Sequence, residues 1–133
     1  MKPPDPEIRE FASAWLAKAL VDLLVCDSLI AQDARLWESV TFHCRQAVEK
    51  ALKAVLVWHQ VEFPKTYDLQ RLLDLLADAD PEVVGRSAEA VGLTPTASST
   101  ATRESIRRSI RRRRSPLSRW LVYAAAAERI GSV

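Results

Sequence analysis

Apolar residues recur at helical spacing along most of the chain, and the breaks between runs fall on cap and proline signals. Ile8, Phe11, Trp15, Ala19, Leu23 and Cys26 are spaced to share one face of a helix. Asp5 is placed as its N-cap and Pro6 as its first helical residue, and the pattern fades near Ala31. Asp33 is placed to cap a second helix running from about Ala34 to Gln60. That helix is apolar over most of its circumference, with Val40, Cys44, Ala47, Val48, Ala51, Ala54, Val55 and Trp58, so it belongs in the middle of a bundle. Val61 to Lys65 form a short connection, in which Pro64 cannot continue a helix. Thr66 then reads as the cap of a third helix, with Asp68 in its first turn, where the helix dipole favours an anion. Leu69, Leu72, Leu73, Leu75 and Leu76 give that helix a broad apolar face. Asp80-Pro81 repeats the cap-then-proline signal and opens a short helix expected to end before Gly92. Leu93 to Thr102 is almost all Thr, Ser, Ala and Pro, the composition of a loop or disordered segment. Ser115, Pro116 and Gly131 cap, start and stop a last helix containing Trp120, Leu121, Ala124 and Ala125. The pattern predicts an all-α fold, an up-and-down bundle of four or five helices.

Composition narrows the class. A chain of 133 residues, 48% of them apolar, is long enough for one domain with one core. The polar, proline-broken start excludes a secretory signal peptide, and no apolar run reaches the roughly 18 residues needed to span a bilayer. Cys26 and Cys44 both lie inside apolar helical patterns, as buried reduced thiols of a cytoplasmic protein do. They have no further ligands spaced around them, so neither a metal nor a cofactor is expected. Trp15, Trp37, Trp58 and Trp120 are read as core or interface aromatics.

Charge changes the picture more. The net charge of +2 hides a balance of −5 over residues 1–90 and +7 over residues 91–133, the latter from 9 Lys/Arg against 2 Asp/Glu. Residues 1–92 are therefore taken as the bundle core, and 93–133 as a basic C-terminal segment with a final helix. Two explanations stand for the shift in composition near Thr94: a change of reading frame and a true basic tail.

The second helix carries the main candidate chemistry. Gln46, Glu49, Lys50 and Lys53 are three and four residues apart and form a polar seam along an otherwise apolar helix, where they need partners or a ligand. In one reading Arg45–Glu49 and Glu49–Lys53 are structural pairs one helical turn apart, and Asp22 of the first helix meets Lys50 or Lys53. In the other, Lys50 and Lys53 bind a phosphate while Gln46 and Asp22 orient it. The second candidate is the run Arg107, Arg108, Arg111, Arg112, Arg113 and Arg114. It can neutralise several phosphates in sequence-blind, salt-sensitive nucleic-acid binding, or be a solvated charge run. No aromatic interleaves with it, so base stacking is not supported there.

The stretch from Phe42 through Gln46, Glu49-Lys50 and Lys53-Ala54 resembles the signature helix of the HEPN family (higher eukaryotes and prokaryotes nucleotide-binding domains). Trp15-Leu16, Ala19 and Asp22-Leu23 in the first helix are similar to that family's alanine followed by Asp-Leu. Phe63-Pro64-Lys65-Thr66-Tyr67-Asp68-Leu69 looks like its Pro-x-Thr-His-Asp-Leu junction, with Tyr67 where histidine is usual. Together these cover roughly Phe11 to Leu76.

The resemblance implies a helical bundle, commonly dimeric, that works beside nucleotides or RNA, since the family includes ribonuclease toxins and partners of small nucleotidyltransferases. Its ribonucleases use an Arg-x4–6-His motif for acid–base work on the ribose 2′-hydroxyl. Positions 36–38, upstream of His43, and 52–54, upstream of His59, hold no arginine; the motif is absent, and both histidines are read as ordinary helix residues. The expectation is thus a cytoplasmic, homodimeric, nucleotide-associated binding protein. It would be the non-catalytic partner of a small nucleotidyltransferase in a toxin–antitoxin-type pair. The alternatives are a ribonuclease whose catalytic Arg and His were lost with the tail, and an RNA-binding module using the arginine run.

Overall fold

The computed structural model describes residues 4–32, 36–93 and 117–131, and among these it holds five helices and no strand. They are α1 (Pro6–Gln32), α2 (Trp37–Trp58), α3 (Leu69–Leu76), α4 (Pro81–Leu93) and α5 (Leu117–Ile130). The two long helices run antiparallel, as their short connection requires. Along the pair Trp15 meets Lys53, Asp22 meets Lys50, and Cys26 meets Cys44.

One core holds all five helices. Ala12, Leu16, Ala19 and Leu23 of α1 join Val48, Ala51, Leu52, Ala54, Val55 and Leu56 of α2. The four buried leucines of α3, Val83 of α4, and Val122, Ala125, Ala126 and Ile130 of α5 complete it. Cys26, Val40 and Cys44 form a separate apolar cluster, against which Leu29 packs. Trp15 and Trp58 are partly buried against the main core, and Trp120 donates to Asp27 across to α1 at 3.3 Å; the Trp37 side chain is outside the described set.

The compositional boundary between residues 92 and 93 is not a boundary of packing. Val122, Ala126 and Ile130 of α5 are sealed from solvent within the same core as α1 and α2, because a charge balance reports on surface residues and says little about an inward stripe. Gly131 ends α5 as expected, with φ +71° and its N–H on the Ala127 carbonyl at 2.8 Å. Gly92 does not end α4, which continues to Leu93, since a glycine inside a helix costs only about 1 kcal/mol. The caps expected at Asp33 and Ser115 lie outside the described residues.

The third helix starts later than Thr66 predicts. Asp68 is its N-cap, accepting from the backbone N–H groups of Gln70 and Arg71. Thr66 Oγ1 instead accepts from the Asp68 N–H at 3.1 Å, building the turn that presents the cap. Asp68→Ala is expected to cost about 1 kcal/mol in urea unfolding, and Thr66→Ala less than half of that. Equal losses would mean that the turn, not the cap, holds α3. At the other end of the connection Gln60, at φ +57°, sends its N–H to Val57 while Val61 N–H reaches Leu56. This is the paired bonding that closes a helix C-terminus.

Candidate functional site

Three polar groupings sit between the helices, and each is built by residues far apart in the chain. The first centres on Asp22, a buried carboxylate on the face of α1 that packs on α2. Lys50 Nζ lies 2.6 Å from its Oδ2, and His43 Nδ1 lies 2.9 Å from its Oδ1. His43, Gln46 and Lys50 follow one another along the same side of α2, so one carboxylate orients both an imidazole and an ammonium. Among the described residues the Gln46 amide makes no hydrogen bond, and it stands between the two.

The second grouping is the Glu49–Lys53 pair, one turn apart on α2 and joined at 2.7 Å, with both side chains less than a tenth exposed. The Lys53 ammonium also lies 5.5 Å from the ring centre of Trp15, 5.8 Å from Phe63 and 5.9 Å from Tyr67. Three aromatic faces and one carboxylate thus share the cost of keeping this charge out of water. Lys18, one turn along α1, lies 5.2 Å from the Trp15 ring and among the described residues has no carboxylate partner. Arg45 donates to the Tyr67 backbone carbonyl at 3.0 Å, so it fastens the α2–α3 connection instead of pairing with Glu49 as its spacing predicts. Tyr67 itself is 71% exposed.

The third grouping joins the far ends of α2, α4 and α5. His59 Nε2 lies 2.8 Å from Asp80 Oδ2. Arg129 Nε lies 2.7 Å from the same oxygen as an ionic contact, while its Nη2 donates to Oδ1 at 3.3 Å. Asp80 Oδ1 also caps α4 by accepting from Val83 N–H at 3.2 Å. Burial of Asp80 pushes its carboxyl up, but the His59 hydrogen bond, the Val83 N–H and the Arg129 charge together hold it below the usual carboxylate value. The His59 and Asp80 side chains are only 7% and 3% exposed. Here an arginine and a histidine do converge, but around a carboxylate that occupies both.

Of the residues expected to act together, the structure joins Asp22 with Lys50 and Glu49 with Lys53, as two separate pairs with no shared open space between carboxylate and amine. Gln46 is hydrogen-bonded to neither pair among the described residues, and Tyr67 stands over the second. Thr66 and Asp68 are spent on the start of α3. Arg107, Arg108, Arg111, Arg112, Arg113 and Arg114 lie outside the described residues. Sequence reasoning missed His43, whose spacing from Gln46 and Lys50 was the available signal, and missed the rings around Lys53. For the convergence of His59 and Arg129 on Asp80 no local signal exists. Among the described residues no cluster of His, Cys, Asp and Glu could hold a metal ion, and no helix is long and apolar enough to cross a membrane.

A family profile described as HEPN domain matches residues 12–109. No curated protein and no solved structure matches the chain. The matched span takes in all three groupings except Arg129, and passes the compositional boundary at 92/93 to include Arg107 and Arg108. With that profile covering most of the sequence and an all-helical bundle beneath it, this chain belongs to the HEPN domain family, and a nucleotide- or RNA-associated role in general follows from that membership.

Proposed function

We propose that this protein is a non-catalytic binder of nucleotides or single-stranded RNA that works beside a small nucleotidyltransferase in a toxin–antitoxin-type pair. The observation that carries the binding is the corner around Lys53. There the open ring of Tyr67 stands over an ammonium already held by Trp15 and Phe63, with Lys18 and Arg45 at its margin. An exposed aromatic face takes a base by stacking, worth about 1–3 kcal/mol per base, and flanking cations take the backbone. Lys50 and Lys53 contribute little to phosphate capture, because Asp22 and Glu49 already neutralise them. The non-catalytic reading draws on His59, the histidine beside Arg129, being shut away on Asp80.

Assembly has its own support. On the outer side of α1, Ala14, Ala17, Val21, Leu24 and Ser28 are all exposed and alternate three and four residues apart, the spacing of a seam between paired helices. A second copy of the chain is the occupant that this self-complementary stripe fits, with the small Ala14 and Ala17 allowing close approach.

Fluorescence anisotropy with a labelled oligouridylate tests the binding. Tyr67→Ala, at an exposed position, is expected to weaken affinity about tenfold, and Lys18→Glu to weaken it further at low salt. Unchanged affinity in both variants would place any ligand elsewhere. Co-expression with the nucleotidyltransferase of the native host, followed by light scattering, tests the pairing; the absence of a stoichiometric complex would remove it.

A further inference from the structure

Cys26 Sγ and Cys44 Sγ lie 2.9 Å apart, and both residues are buried, at 0% and 3% exposure. They face each other from α1 and α2 inside the small apolar cluster with Val40 and Leu29, away from the main core. A disulfide sulfur pair is about 2.05 Å apart, so less than an ångström of approach separates these thiols from a bond. Cys26 also reaches the Val40 carbonyl at 3.5 Å, which fixes its sulfur on the side toward Cys44. Packing alone asks for two small apolar side chains here, a need that alanine or valine meets as well; it does not ask for two sulfurs in contact.

We propose that Cys26 and Cys44 are an intramolecular redox pair, closed to a disulfide by hydrogen peroxide and reopened by a small dithiol. Cys44, the less completely buried, is the thiol that meets the oxidant. Its thiolate attacks one peroxide oxygen, the O–O bond breaks, and a sulfenic acid forms while water leaves. The Cys26 thiolate then attacks the sulfenyl sulfur, the S–S bond forms, and the hydroxyl departs as a second water. Two thiols are oxidised by two electrons and one peroxide is reduced to two waters. The bond ties α1 to α2 across the turn that joins them. Cys26 sits one turn beyond Asp22 and Cys44 immediately follows His43, so the closed form also clamps the Asp22–His43 contact.

The test treats the purified full chain with hydrogen peroxide and follows intact mass, thiol count after denaturation, and peptide mapping. The expected product is a monomer lighter by two hydrogens, with both thiols lost together and one cross-linked peptide joining residues 26 and 44. The cross-link is expected to raise the melting temperature by about 5–10 °C, reversibly on adding dithiothreitol. Cys26→Ala and Cys44→Ala should each abolish the mass loss and the thermal shift. Mapping of the wild-type chain alone still decides the matter where a variant folds poorly. Oxygen added to either sulfur without a cross-link, a cross-link between two chains, or no reaction while the denatured thiols remain reactive would each overturn the proposal.

Discussion

Asp80→Ala is expected to lower the unfolding free energy by about 3–5 kcal/mol, a large part of the ~5–15 kcal/mol that holds a small domain folded. The loss has separable parts. The α4 cap contributes about 1 kcal/mol. The rest comes mainly from stranding the buried His59 ring; the Arg129 guanidinium loses its contact with Asp80 but keeps Glu82 at 3.2 Å. Asp80→Asn separates them, because asparagine caps a helix as well as aspartate does but carries no charge for Arg129. Urea unfolding at neutral pH should therefore rank wild type above Asn above Ala. The acid limb gives a second readout. Burial raises the Asp80 carboxyl, yet His59, Val83 and Arg129 together bring it below its ordinary value. Its folded pKa is then lower than its unfolded one, near 3.9. The stabilisation is complete above that unfolded value and is lost as pH falls through the folded one. The Asn variant should show a shallower loss of stability below about pH 4. Identical acid limbs for wild type and Asn would show that Asp80 is not the carboxylate that couples folding to protons.

Glu49→Ala is expected to cost about 3–5 kcal/mol by leaving the Lys53 ammonium buried without its carboxylate. The rings of Trp15, Phe63 and Tyr67 soften this, since each cation–π contact contributes about 0.5–2 kcal/mol, so the lower end of the range is the expected result. Lys53→Met should also be costly, because it leaves Glu49 uncompensated at 4% exposure. The double substitution Glu49→Leu with Lys53→Met should be near neutral, as apolar replacements of buried ion pairs often are. A double-mutant cycle of Glu49→Leu, Lys53→Met and their combination, by thermal and urea unfolding, gives the coupling. Additive effects would mean that the two side chains do not act as a pair.

Helix ends were legible at Asp5-Pro6, Asp80-Pro81 and Gly131, because these residues act through local sterics and local hydrogen bonds, whereas Gly92 lies within α4. The α3 start was misplaced because Thr66 and Asp68 both have capping side chains, and only the geometry of the turn decides which one faces the helix. The seam on α2 was legible as a spacing, with Glu49 named beside Lys53 and Asp22 beside Lys50 or Lys53 in one of the two readings, but His43 was not. Asp22 faces Lys50 and His43 across an interhelical contact whose register no single helix encodes. The Lys53 surroundings were less legible still, since Trp15, Phe63 and Tyr67 come from α1 and from the α2–α3 connection. The place of α5 in the shared core was hidden by a basic stretch that dominates the charge balance of the last third.

The buried faces of the long pair mix alanines, Ala12 and Ala19 on α1 with Ala47, Ala51 and Ala54 on α2, with the leucines Leu16, Leu23, Leu52 and Leu56. A slide by one turn, about 5.4 Å, would misfit those leucines, and Asp22 adds an electrostatic cost to it. Displaced by a turn it would lose Lys50 and His43 together and carry a bare charge into an apolar contact. One carboxylate thereby joins the packed leucines in setting the longitudinal registry of two helices, and with it the alignment of the residue pairs along them, from the Lys53 corner at one end to the two sulfurs at the other.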